Sequence, residues 1–154
     1  MKKLLASLQL DYPDIRFVAS DSFQWAQTNR TIHYDAGHQN AAALLLHELA
    51  HACLKHTKFQ YDVELVRKES EAWAYASEIL APRYDLLIDE DTREDAIDSY
   101  RDWLHSRSLC PQCQMNCLQT KTGTYSCEAC GCQWRANQAR LCELRRYRLQ
   151  ITTI

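Results

Sequence analysis

Residues 45–56 read LLHELAHACLKH. Two histidines and a glutamate stand in a run made otherwise mostly of leucine and alanine, and buried polar groups are costly unless something satisfies them. His47-Glu48-Leu49-Ala50-His51 has the form HExxH. On a helix, residues i and i+4 are neighbours on one face, so both imidazoles can reach a single metal ion. Glu48 sits beside the first of them and can approach a metal-bound water. Zinc lowers the pKa of such a water to about 7, and the carboxylate can take its proton as general base. Leu44, Leu45, Leu46, Leu49, Ala50, Ala52 and Leu54 predict that this helix, over about residues 40–56 with Asn40 as N-cap, is mostly buried. One zinc ion would satisfy both histidines.

Zinc hydrolases usually have three protein ligands and one open position. The third is sought on a second helix, predicted over about residues 62–80 and ending at Pro82. There Leu65, Val66, Glu69, Ala72, Trp73, Ala76, Ile79 and Leu80 fall at helical spacing and form one stripe, apolar except for Glu69. A lone carboxylate inside an apolar stripe is expensive unless it binds a cation. Glu69 is the predicted third ligand, and Glu71 the second choice, because a modest rotation of the helix would exchange them. His56 lies five residues past His51, roughly 500° round the axis, and is expected at the surface at the helix end, with a contact that supports the site or meets substrate left open.

Around these helices the pattern predicts a helix over residues 2–9 and strands over 16–20, 23–26 and 30–35, with a turn at TNR (28–30). His33 falls on the third strand, taken as an edge strand of the kind that holds a substrate backbone in metallopeptidases. A short extended piece is expected at 85–89. Asp91-Thr92-Arg93-Glu94 fits a capping box opening a helix to about His105.

HELAH, followed by ESEAWAYASEILAP at 69–82, resembles the ImmA/IrrE family of metallopeptidases. The resemblance covers about residues 30–82. It implies a zincin-like (gluzincin) minimal metallopeptidase domain of α+β class, with a small sheet and active-site helices, that cleaves a specific protein. Laid on the family's pattern, Glu69 falls on the ligand glutamate. The position that is usually Asn or Asp, four residues later, is Trp73 here, so the usual orienting partner of a ligand histidine is missing. The SprT-like group also joins HExxH to a C-terminal zinc ribbon and acts on DNA-bound proteins. Its third ligand is a histidine four residues after the second, where this chain has Lys55.

Downstream, Cys110-Pro-Gln-Cys113 and Cys127-Glu-Ala-Cys130 form two CxxC pairs with 13 residues between them. Two such knuckles complete a tetrahedral zinc site and predict a zinc ribbon. Cys117 and Cys132 could substitute for a knuckle member, whereas Cys53 and Cys142 are expected to pack as small apolar groups in helices. Residues 136–148 look like a closing basic helix. With Arg135, Arg140, Arg145, Arg146, Arg148, Trp134 and Tyr147, this segment could contact nucleic acid or a partner protein, dock on an acidic module or be solvated.

Bulk properties agree with two modules. Residues 1–109 carry 12 Lys+Arg and 18 Asp+Glu, a net −6, while residues 110–154 carry 6 and 2, a net +4. The division is placed at 1–106 for the metallopeptidase domain and 107–154 for the ribbon. With 3 Gly and 3 Pro the chain fits neither a disordered protein nor a many-turned all-β fold. No stretch approaches the roughly 18 apolar residues of a membrane span. MKKLLASLQLDYPD reads as a helix rather than a signal peptide, and seven of eight cysteines after residue 109 favour metal over disulfides. A cytoplasmic zinc metallopeptidase is therefore expected, with one catalytic and one structural Zn2+, acting on a protein or peptide. The competing reading is a non-catalytic zinc-binding regulator.

Overall fold

The computed structural model describes residues 1–137 and 143–149 as an α+β protein with two small sheets. The chain divides into two compact units, Met1–Lys58 with Lys68–Glu94, and Phe59–Arg67 with the described residues from Asp95 onward. The sequence-based division is placed after residue 106; in the packing, two helices contribute residues to both units.

In the first unit, helix α1 (Lys2–Asp11) leads into strands β1 (Arg16–Ala19), β2 (Gln24–Ala26) and β3 (Thr31–Tyr34). The sheet order is β1-β3-β2, with β1 parallel and β2 antiparallel to β3. Ile32, opposite Phe17 on one side and Trp25 on the other, is fully buried. The expected turn is a 3-10 turn, Gln27–Asn29, that ends on Arg30 in the left-handed region at φ 52. Arg30 Nε donates to the Asp14 carbonyl at 3.1 Å. His33 therefore lies on the central strand and not on an edge, because β3 inserts between the two strands that precede it.

Helix α2 (Ala41–Cys53) packs on β2 and β3. Leu45, Leu46, Leu49 and Ala50 are fully buried. Each buried leucine contributes about 1.5–3 kcal/mol, so the rotation of α2 about its axis is fixed, and with it the direction in which His47 points. Helix α3 (Asp62–Tyr75) does not stop at Pro82. It passes through a π-helical turn, Ala76–Leu80, into a short α4 (Ala81–Arg83). Proline clashes with the carbonyl four residues back in a regular helix. The wider turn relieves this, since the Ala81 N–H bonds to Ala76 five residues back. The same extra residue turns Ile79, expected inside, out to 53% exposure, while Leu80 stays buried.

Helix α5 (Glu90–Ser108) starts earlier than the capping box predicts, and residues 85–89 form no strand. Asp89 is the cap, accepting the Thr92 N–H at 2.8 Å and the Thr92 hydroxyl at 2.6 Å. One carboxylate thus takes both donors of Thr92, which Asp91 is too close to reach in this way.

The second unit holds an antiparallel sheet of β4 (Gln119–Lys121), β5 (Thr124–Ser126), β6 (Gln133–Ala136) and β7 (Arg146–Arg148), in chain order. The expected closing helix is not formed where the chain is described: residues 146–148 are a strand paired to β6. They carry no apolar face of helical period to bury, whereas pairing satisfies the β6 edge. Arg140 and Cys142 lie outside the described residues.

This unit has a small core of Cys110, Tyr125, Cys127, Trp134 and Ala136. The Tyr125 and Trp134 rings stack at 5.4 Å. Beside them Arg107, 1% exposed, donates from Nε to Asp62 Oδ2 at 2.7 Å. The Tyr125 hydroxyl also donates to Asp62, and the Asp62 N–H is taken by Gln119 Oε1 at 2.6 Å. Trp134 Nε1 donates to the Arg107 carbonyl at 3.1 Å. A buried pair gains little overall, but losing one partner costs about 3–5 kcal/mol because the other charge is stranded. Asp62 thus ties the start of α3 to the end of α5.

Candidate metal centres

His47, His51 and Glu69 converge. His47 Nε2 and His51 Nε2 are 3.0 Å apart, and Glu69 Oε2 is 3.0 Å from the first and 3.5 Å from the second. The packing of α2 sets both histidines on one side, and the regular part of α3, ahead of its π turn, presents Glu69 to them. Bond lengths of about 2.0–2.2 Å around a tetrahedral ion separate ligand atoms by about 3.3–3.6 Å. The three atoms match that within a few tenths of an ångström, so a His2Glu set can hold a metal. Burial opposes charge on Glu69, yet the two imidazoles hold its carboxyl well below the ordinary range, which makes it an anionic, acceptor-only group.

Glu48, next to His47 on α2, is not one of the three converging residues. Its Oε2 accepts the Trp25 backbone N–H of β2 at 2.6 Å. Burial pushes the Glu48 carboxyl above its usual value, against the pull of His47, His51 and this N–H. A carboxylate with a raised pKa is better matched to proton transfer near neutrality.

The two histidines are held differently. His47 Nδ1 is buried with no hydrogen-bond partner among the described residues. Trp73 lies against the ring instead, at 4.4 Å between centroids and 26° between planes. His51 Nδ1 is 2.9 Å from His56 Nδ1, and His56 Nε2 is 3.3 Å from Glu71 Oε2. His56 is thus not a surface residue; its side chain is 11% exposed. Helix α2 ends earlier than expected. Lys55 takes the left-handed conformation at φ 55, its N–H reaching the Ala52 carbonyl and the His56 N–H reaching that of His51. This pair of bonds is a Schellman closure, and it folds His56 back under His51. Helical projection places His56 elsewhere because the helix has ended, and a lysine at the left-handed position gives no warning of it. Burial and His51 together keep His56 below its ordinary pKa, against Glu71. Glu71, the second choice for the third ligand, pairs with His56 and is not in the converging set.

Cys110, Cys113, Cys127 and Cys130 form the second cluster, compatible with a zinc ribbon. Cys110 Sγ is 3.6 Å from Cys130 Sγ, and Cys113 Sγ is 3.5 Å from Cys127 Sγ. A tetrahedral zinc with bonds of about 2.3 Å separates its sulfurs by about 3.8 Å. The two knuckles repeat one backbone design. Cys110 N–H bonds to the Met115 carbonyl and Cys127 N–H to that of Cys132, at 2.9 and 2.8 Å. The residue after each second cysteine is left-handed, Gln114 at φ 61 and Gly131 at φ 71. Only at 131 does the sequence use the residue that adopts this without strain. Burial opposes the Cys110 thiolate, but the N–H groups of Cys113 and Gln112 outweigh it and bring the thiol down to about 6. Cys117 and Cys132 border this core without joining the four, and Cys53, at the end of α2, is outside both clusters.

No helix among the described residues is long and apolar enough to cross a membrane. Comparison with family models, curated proteins and solved structures gives no match.

Proposed function

We propose that the chain is a zinc-dependent metallopeptidase of the zincin-like, gluzincin type, similar to the ImmA/IrrE family, with His47, His51 and Glu69 as metal ligands and Glu48 as general base. The observation that carries this reading is the convergence of the three ligand atoms within 3.5 Å, with Glu48 anchored one residue along the same helix. A divalent ion held there would supply Lewis acidity, acidifying water and polarising a peptide carbonyl. Glu48 is fixed through Oε2 by Trp25, which leaves Oε1 to accept a proton from water and deliver it to the leaving amine. Trp73 lies on the imidazole of His47, which is 4% exposed. The SprT-like pattern is disfavoured, because α2 has ended and the chain has turned away at Lys55, where that group's third histidine would stand. Metal analysis of the purified chain tests the assignment: two divalent ions per chain are expected, and one after His47→Ala with the fold retained. An unchanged stoichiometry in the variant would remove it.

A second role is favoured by the outer face of the cysteine-unit sheet. Arg135 and Tyr147 are cross-strand partners, and Lys121, Thr124 and Arg135 continue the row across β4, β5 and β6. Tyr147 is 54% exposed, and Lys121 and Arg135 are exposed as well. An aromatic beside a row of cations suits a single-stranded nucleic acid, with a base on the ring and phosphates on the charges. Binding of a labelled single-stranded oligonucleotide should weaken steeply with added salt and fall with Arg135→Ala and Tyr147→Ala together. Absence of binding at low salt would leave the peptidase reading alone.

A further inference from the structure

We propose that His56 and Glu71 form a positioning relay that sets the tautomer and orientation of His51 as a metal ligand; this rests on the metal-centre reading above. Two imidazole Nδ1 atoms face each other at 2.9 Å, so one of them must donate. If His51 offers its Nε2 lone pair to the convergence point, its single proton stands on Nδ1 and is given to His56 Nδ1. The His56 proton then stands on Nε2, 3.3 Å from Glu71 Oε2, which can only accept. One proton pattern satisfies every group in the row. The reverse pattern would put the His51 proton on Nε2, where it would block the ligand position facing His47 and Glu69. Glu71 therefore biases the row toward the metal-binding tautomer through an intervening imidazole, an extended form of the carboxylate–histidine arrangement behind ligand histidines.

The backbone that carries His56 is itself tied down. The Schellman closure at Lys55 bonds the His56 N–H to the His51 carbonyl at 3.0 Å. Lys68 Nζ, one residue before Glu69 on α3, donates to the carbonyls of Thr57 at 2.9 Å and Lys58 at 3.2 Å. The stretch after α2 is thus fastened to the helix that supplies both Glu69 and Glu71. Among the described residues His47 Nδ1 has no such partner, and the Trp73 ring lies against the imidazole. The relay is the hydrogen-bonded support this centre possesses on its histidine side.

The test uses the full chain with zinc in the cysteine cluster and the His2Glu site emptied, then titrated with Co2+ and followed by its visible absorption. Wild type is expected to bind one Co2+ at this site. His56→Ala should bind it about 10–100-fold more weakly and with a displaced spectrum, while the far-UV circular dichroism is unchanged. His56→Asn, whose Oδ1 can still accept from His51, should recover part of both. Glu71→Gln alters a side chain that is 44% exposed, so it should fold, and it should weaken Co2+ binding by a smaller factor. If His56→Ala does not fold, Glu71→Gln and His56→Asn decide the matter. Wild-type affinity and spectrum in the variants that fold would overturn the relay alone. Failure of the wild-type chain to bind Co2+ outside the cysteine cluster would overturn the metal-centre reading, and the relay with it.

Discussion

Glu48→Gln is expected to bind as much metal as the wild-type chain and to hydrolyse peptide bonds about 10²–10⁴-fold more slowly. The substitution preserves volume, and the amide oxygen can still accept the Trp25 N–H that anchors the carboxylate at 2.6 Å. What it removes is the second oxygen as a proton acceptor. The ligand set of His47, His51 and Glu69 is untouched, so metal stoichiometry separates loss of chemistry from loss of the site. Digestion of a peptide library read by mass spectrometry measures the effect without requiring the natural substrate. Equal cleavage by Glu48→Gln and wild type would show that some other group moves the proton.

Replacing a knuckle cysteine, as in Cys127→Ser, is expected to unfold the cysteine unit while leaving metal uptake by the His47–His51–Glu69 group unchanged. Among the described residues the cysteine unit's core cluster has five buried residues, two of them from the four-cysteine group. So small a core cannot offset the conformational entropy of ordering the strands around it. Structural zinc contributes an apparent binding free energy of about 10–16 kcal/mol in comparable peptides, enough to reverse that balance. Hydrogen exchange should show amides of β5 and β6 losing protection together, because Tyr125 and Trp134 stack only while the knuckles hold the sheet. Retained protection in the variant, or in chain stripped of metal by a chelator, would show that the Asp62–Arg107–Tyr125 network suffices by itself.

Most of the first candidate site is legible because its residues are local. HExxH needs only a helix, and seven apolar neighbours announced one; α2 formed within a residue or two of expectation at its start. Glu69 was legible for a different reason, as the one acid in an apolar stripe, and it reached the histidines because the helix is still regular at that point. Ile79, later in the same stripe, was misplaced because the π turn intervenes. The knuckles were legible from spacing, since CxxC fixes its own loop. The basic closing helix was not, as the composition of residues 146–148 suits a surface strand equally well.

By itself the sequence determined which side chains can ligate a metal and which local elements carry them, because helix period and knuckle spacing are short-range properties. The tertiary structure decided how those groups are supported. It put β3 between β1 and β2, brought the Trp25 N–H to Glu48, laid Trp73 on His47, and turned His56 back to stand between His51 and Glu71. Each of these depends on where a chain end or a sheet edge falls in space. A helix that stops on a left-handed lysine, or a strand inserted between two others, leaves no periodic trace in the residues themselves.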